Sequence, residues 1–281
     1  MLYIMMKKYL NSFHKNGYVL IPNLITKKFC EKLKKLLEKD YKKYSKKYAS
    51  HGTKKKSLPG QDWEDKSSEK VVFNMHNKNM IWFKLFENKI ILKMLDVILK
   101  TGSYKNSEPY YLANISARSP NKGNKGQQLH SDSHLAGVNF PLSINVLWLL
   151  DDFNDRNGAT RIVPGSHKWK KYAINGKVYK SEKKIYGKAG TAFIFDTNLW
   201  HGSSAKYSIE TRWAVALGYF RWFKKPSFDF MQNTPRKIYN KMTSKQKSLL
   251  GFDSVPPKDE FTRLRRRSTT FEIPKKYILP K

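Results

Sequence analysis

The chain has 281 residues, 40% hydrophobic and 14% aromatic, which supplies apolar surface for one sizeable domain and excludes disorder of the whole chain. Its formal charge of +33 raises a nucleic-acid partner, yet residues 1–70, 71–220 and 221–281 each carry +11, so the excess is spread and not gathered on one tail. Lysine far outnumbers arginine and asparagine is abundant, as an AT-rich genome alone produces; an anionic substrate or carrier, or weak adhesion to nucleic acid or membrane, is the other source of such a balance. The single cysteine, Cys30, excludes an internal disulfide and a thiolate-rich metal site, and it reads as a buried helix residue in a protein of the reducing cytoplasm. Lys7 and Lys8 interrupt the apolar start too early for a signal-peptide core, and no run approaches the ~20 apolar residues of a membrane span, so a soluble, cytoplasmic protein is expected.

In chain order, apolar residues fall at helical spacing over 3–14 and 26–47, with Thr26 placed to cap the second helix, and Tyr18 to Ile21 reads as a short strand ended by Pro22. Residues 48–70 read as a long polar loop able to cover a site. Helical spacing returns over 79–101. From residue 108 the texture changes to short apolar or alternating runs at 109–117, 142–150, 159–163, 190–195 and 211–222, separated by turn residues. Strands of this kind suggest a sandwich or jelly roll, not a parallel βαβ sheet. A helix is expected over 235–250, and Arg263 to Arg267 forms a basic knot. The organisation expected is one domain over 1–281: a helical and loop region at 1–107, a core at 108–222 and a helical, basic extension at 223–281.

Chemistry concentrates in the core. In Leu129-His130-Ser131-Asp132 the two ligand types are separated by one residue, and alternate side chains of an extended segment point the same way, so His130 and Asp132 converge on one ion. His201 follows the strand-like run Gly190 to Phe195 and supplies a third donor from a neighbouring strand. Two histidines and one carboxylate make the facial triad of non-haem iron oxygenases, with the remaining positions open to 2-oxoglutarate and O2. Alone, an HxD with a distant histidine also describes ordinary polar loop residues. Arg212 shifts that balance: it is expected inside an alternating strand, Thr211 to Leu217, where a buried guanidinium requires an anion such as the far carboxylate of 2-oxoglutarate. On the 142–150 strand Asn145 and Trp148 have opposite parity, so at most one faces an interior, and Asn145 is assigned to the pocket. His134 and Asn114 are further candidates for lining it.

Several segments together, in order and spacing, resemble the phytanoyl-CoA dioxygenase family. They are Gln127 to Asp132, Leu150-Asp151-Asp152-Phe153, Asn157-Gly158-Ala159-Thr160-Arg161 through Pro164-Gly165-Ser166-His167, Gly190 to Asp196, Trp200-His201-Gly202-Ser203 and Arg212, preceded by Phe13 to Pro22. The resemblance covers residues 9 to 222 and is loose beyond. It implies a mainly β fold with flanking helices (α+β), a double-stranded β-helix of the jelly-roll, cupin-like kind. It implies Fe(II) on His130, Asp132 and His201, 2-oxoglutarate anchored by Arg212, and cosubstrate contacts from Gln127, Thr160 and Ser203. His167 is read as part of the turn and not as a fourth ligand. Asp132 argues against halogenation, since related halogenases replace that carboxylate with a small residue. The function implied is hydroxylation of a small-molecule metabolite, an anionic one being favoured by the basic surface, with release of succinate and CO2; desaturation or ring closure, the primary substrate and the oligomeric state stay open. The alternatives are an inactive jelly-roll binding protein, which would be expected to lack a ligand or the anchor, and an oxygenase or module acting on nucleic acid, which rests on charge alone.

Overall fold

The computed structural model describes residues 2–50, 69–103, 109–133 and 135–254; most of the expected covering loop, His134 and the basic run Arg263 to Arg267 lie outside the described residues. The elements are α1 (Leu2–Asn16), β1 (Tyr18–Ile21), α2 (Lys27–Ser50), β2 (Glu69–Phe73), α3 (Phe83–Phe86), α4 (Lys89–Leu99), β3 (Tyr110–Pro120), β4 (Ser143–Leu149), β5 (Thr160–Ile162), β6 (Lys183–Lys184), β7 (Ala192–Asp196), β8 (His201–Ser203), β9 (Ala214–Arg221), α5 (Phe230–Asn233), α6 (Arg236–Tyr239) and α7 (Ser244–Leu249). This is an α+β fold. One sheet has the order β1-β7-β4-β9-β3-β2 and the other β6-β5-β8. The pairs β1 with β7, β4 with β7, β2 with β3, β5 with β6 and β5 with β8 are antiparallel. Among the described residues the sheets do not close into a barrel.

The chain divides into two compact units. The first comprises Met1–Phe73 and Ser116–Ala216. Its helix α2 begins as the sequence suggests, with the Thr26 hydroxyl accepting from the Phe29 N–H at 3.2 Å, and Cys30, Leu33 and Leu37 buried along one face. Within this unit residues of both sheets share one core: Leu149, Phe193 and Phe195 from the larger, Ile162 from the smaller, and Phe153, Ala159, Ile185 and Leu199 from the connections. Register explains which side chains turn inward. Tyr18 and Asn145 both pair with Phe195, and Leu20 and Leu147 both pair with Phe193, so these residues share one face of the larger sheet. Trp148, of opposite parity to Asn145, is fully buried.

The second unit comprises Asn74–Ile115 and Leu217–Lys281. Two helices expected to be continuous are broken here, each by a side-chain cap. The pattern over 79–101 divides at Asn88, whose side-chain oxygen accepts from the N–H groups of Ile90 and Ile91 at 3.1 and 3.3 Å and starts α4 afresh. The pattern over 235–250 divides into α6 and α7 because Thr243 and Gln246 form a reciprocal capping box. The Tyr219 hydroxyl donates to the Phe86 carbonyl at 2.7 Å, and the Arg221 guanidinium donates to the Leu99 carbonyl at 2.9 Å.

His76 is fully buried in this unit, with Nε2 2.8 Å from the Asn233 side-chain oxygen, its ring against Phe230 and Nδ1 without a hydrogen-bond partner among the described residues. Burial lowers its pKa from 6.5 to about 3, assisted by the Lys78 charge and opposed by the Asn233 hydrogen bond. The folded state thus binds its proton less readily than the unfolded chain. Stability from the neutral ring is complete above pH ~6.5 and is lost as pH falls from there toward 3, by up to about 1.4 kcal/mol per pH unit. Urea melts are expected to show wild type losing about 2 kcal/mol more than His76→Gln between pH 7 and pH 5; equal losses would mean that His76 is not held neutral.

Candidate functional site

In the first unit, the extended segment carrying His130 lies beside β8. His130 and His201 form an isolated antiparallel bridge, each N–H donating to the other's carbonyl at 2.8 Å. Directly opposed residues of an antiparallel pair present their side chains on one face, which brings the two imidazoles to 4.5 Å between ring centres. Asp132, two residues on, returns to the same side. One donor atom from each of His130, Asp132 and His201 falls within 4.8 Å of the others.

The outer nitrogens of the rings are fixed: Nδ1 of His130 lies 2.9 Å from the Gln128 carbonyl, and Nδ1 of His201 lies 2.9 Å from the Leu199 carbonyl. A carbonyl only accepts, so each Nδ1 carries the proton and each Nε2 presents a lone pair. Those Nε2 atoms face the Asp132 carboxylate at 3.5 and 3.4 Å. When the rings are neutral, three acceptors converge, a set that fits a cation, and the ring-to-carbonyl bonds are the usual outer support of metal-bound histidine. Packing around Asp132 disfavours its charge, but His201 and His130 outweigh this and hold its carboxyl well below the usual range. His130 shows the reverse balance, with desolvation opposing its charge and the Asp132 hydrogen bond raising its pKa. The Asn145 amide donates to the second Asp132 oxygen at 2.5 Å, and Phe195 packs on the His201 ring at 4.8 Å. His201 is buried, whereas the Asp132 side chain is 39% exposed, which leaves the donor set open on one side.

Arg212 is buried, but not on the strand expected to carry it. β9 begins only at Ala214, because the Asp151 carboxylate takes the Thr211 hydroxyl at 3.2 Å and the Trp213 N–H at 2.8 Å and so removes this stretch from the sheet. The Arg212 N–H donates to the Ser119 hydroxyl at 3.0 Å. Its guanidinium lies 4.4 Å over the Phe153 ring, and Nε is buried with no hydrogen-bond partner among the described residues. Burial lowers its pKa to about 10, against the pull of Glu69 and Asp151, so the group stays charged at neutral pH. Phe153 belongs to the same apolar cluster as Phe195, so that cluster borders both the guanidinium and His201. A buried cation with an unpaired donor is costly by itself and fits an anionic ligand.

Thr160 stands opposite Ser203, and Ile162 opposite His201, so Thr160, Ser203 and His201 present side chains on one face of the smaller sheet. At Gln127 the backbone is tied down: its N–H donates to the Ser203 carbonyl at 3.0 Å, and its carbonyl accepts from Arg161 at 2.7 Å. His167 packs against Gly17 so closely that a Cβ there would fall 2.5 Å from its Nδ1, and it is not part of the triad. Asn114 is half-buried on β3.

Three contributors stand in segments that carry the family resemblance but received no role from the sequence. Arg161 reaches the carbonyls of Ser203 and Gln127 and pairs with Glu182 at 2.8 Å, stitching the His130 segment to β8; its position after Thr160, with opposite strand parity, was the available signal. Phe153 supplies the ring beneath Arg212, and Asp151 supplies the bonds that shape its backbone. Neither pairing has a local sequence pattern.

A scan against family models matches residues 13–214 to the phytanoyl-CoA dioxygenase model. Among curated proteins, an uncharacterised protein of Mycobacterium tuberculosis is 26% identical over 125 residues, covering 44% of this chain and 46% of that one. The dioxygenase olcK of Penicillium canescens is 26% identical over 211 residues, covering 72% and 63%. The matched region spans about half the length of the curated relatives that match first. Among solved structures, HygX from Streptomyces hygroscopicus with nickel, 2-oxoglutarate and hygromycin B bound aligns with a TM-score of 0.58 at 15% identity, covering 78% of this chain and 89% of that one.

One position tests whether the strand contact governs the metal site. A Cβ on Gly202 would fall 2.7 Å from the Gln127 carbonyl oxygen and 2.8 Å from that of Gln128, so any side chain pushes the His130 segment off β8. Gly202→Ala is expected to cost about 1–3 kcal/mol in stability and, at a temperature where it remains folded, to bind cobalt(II) roughly tenfold more weakly than wild type. Unchanged cobalt affinity by spectroscopic titration would contradict this.

Proposed function

We infer that this chain, which belongs to the phytanoyl-CoA dioxygenase family, is an iron(II)- and 2-oxoglutarate-dependent dioxygenase that hydroxylates a small-molecule metabolite. The observation carrying this reading is the convergence of His130, Asp132 and His201, with both Nε2 lone pairs turned on one carboxylate. These three residues would hold the metal. When bound, iron with 2-oxoglutarate supplies the oxidation, in which O2 and 2-oxoglutarate are consumed, succinate and CO2 are released, and one oxygen atom enters a C–H bond of the substrate.

The protein's part is ligation, orientation and exclusion of water. Asn145 occupies the second oxygen of Asp132 and holds the carboxylate in one orientation. The Gln128 and Leu199 carbonyls lock the histidine tautomers. Arg212, buried and with Nε lacking a hydrogen-bond partner among the described residues, receives the far carboxylate of 2-oxoglutarate, and Thr160, Ser203 and Gln127 line the cosubstrate's path. The two sheets around their common core are read as those of a double-stranded β-helix within a single oxygenase domain, with β3 to β9 drawn from 108–222 and β1 and β2 added at the edges of the larger sheet. No helix among the described residues is long and apolar enough to cross a membrane. All three donors and the guanidinium are present, which supports turnover over a binding protein that has lost it.

Anaerobic titration of iron(II) and 2-oxoglutarate is expected to develop the weak visible charge-transfer band of the chelate in wild type and no band in His130→Ala. In Arg212→Met the band should require about 10- to 100-fold more 2-oxoglutarate, the loss of hydrogen bonds to a charged group. Absence of the band in folded wild type would sink the oxygenase reading.

A further inference from the structure

The stretch Thr211-Arg212-Trp213 is neither strand nor helix, yet it is bound on all sides by specific partners. The Asp151 carboxylate accepts from the Trp213 N–H and the Thr211 hydroxyl through Oδ2, while Lys34 on α2 holds Oδ1 at 2.5 Å. The Trp213 indole N–H donates to Glu38 on the same helix at 2.8 Å, and Glu38 is paired in turn with Lys70 at 2.9 Å. The Leu150 N–H donates to the Trp213 carbonyl at 3.0 Å and the Arg212 N–H to the Ser119 hydroxyl at 3.0 Å. The residues on either side of Arg212 are thus fixed through their polar groups, whereas the guanidinium lies over the Phe153 ring face and its buried Nε has no hydrogen-bond partner among the described residues.

We propose that Asp151, braced by Lys34, is a positioning residue for 2-oxoglutarate: it fixes the backbone on both sides of Arg212, so that the guanidinium stands free and aimed at the cosubstrate's far carboxylate. This rests on the reading of Arg212 given above. Three features support it. Asp151 spends one oxygen on the neighbours of Arg212 and the other on Lys34, so both oxygens are engaged without occupying the guanidinium. Its negative charge, with that of Glu69, also opposes the burial that would discharge Arg212. Finally, a long side chain without hydrogen bonds of its own is oriented only through its backbone and the ring beneath it, so a small rotation at 211–213 displaces the fork relative to a ligand fixed at its other end.

The test separates an effect through the far carboxylate from general loosening. Affinity for 2-oxoglutarate and for pyruvate, a 2-oxo acid lacking the far carboxylate, is measured anaerobically on the iron(II)-loaded wild type, Asp151→Ala, Asp151→Asn and Arg212→Met, with thermal melts of each metal-free protein as the folding control. Asp151→Ala is expected to bind 2-oxoglutarate about tenfold more weakly and pyruvate as wild type does, and to add no further loss when combined with Arg212→Met. Asp151→Asn keeps an acceptor for the Trp213 N–H and is expected to fold with a smaller loss, so the proposal stays testable if the alanine variant does not fold. Unchanged 2-oxoglutarate affinity in a folded variant, equal losses for both acids, or additive losses with Arg212→Met would overturn the proposal. A wild type that fails to prefer 2-oxoglutarate over pyruvate would instead overturn the role given to Arg212.

Discussion

The two backbone hydrogen bonds exchanged by His130 and His201 turn residues distant in the chain into a chelating pair. They set both imidazoles on one face, and the two-residue period of the extended segment then delivers Asp132 to the same side. The rest of the site preserves this bridge. Gly202 lets the carbonyls of Gln127 and Gln128 approach β8 closely, and Arg161, directly opposite Gly202 in the register, pins the carbonyls of Gln127 and Ser203. Phe195 and the apolar cluster behind it give His201 a rigid floor.

The electrostatics of the site are local, despite a chain of +33 overall. Asp132 faces two imidazoles whose protonated nitrogens are turned away, a juxtaposition that a divalent cation completes. At Arg212 the charge is cationic, buried and short of a partner, with Asp151 and Glu69 near enough to keep it ionised. A carboxylate between two imidazoles and a buried guanidinium whose Nε lacks a hydrogen-bond partner among the described residues are two incomplete sites. A ligand that is a metal chelator at one end and a carboxylate at the other answers both, and 2-oxoglutarate has that form.

Much of this was legible in the sequence because it depends on short-range periodicity. The His130 and Asp132 spacing, the strand runs of the core and the Thr26 cap of α2 each follow from residues within a few positions of one another. Where the reading departed from the structure, side chains overrode the pattern. Asn88 and the Thr243–Gln246 box restart helices that hydrophobic spacing joined, and Asp151 draws Thr211 and Trp213 out of a strand that alternation extended through them. The ring under Arg212, its clamp and the Arg161 stitch involve residues far apart in the chain. No local rule pairs Phe153 with Arg212, or Glu38 with Trp213.

The most direct test of the account is an anaerobic crystal structure with iron(II) and 2-oxoglutarate, with anomalous diffraction collected at the iron edge. The account requires a single iron peak bonded to Nε2 of His130, a carboxylate oxygen of Asp132 and Nε2 of His201, with 2-oxoglutarate bridging from that iron to the Arg212 guanidinium. Iron held elsewhere, or 2-oxoglutarate bound with its far carboxylate away from Arg212, would contradict it.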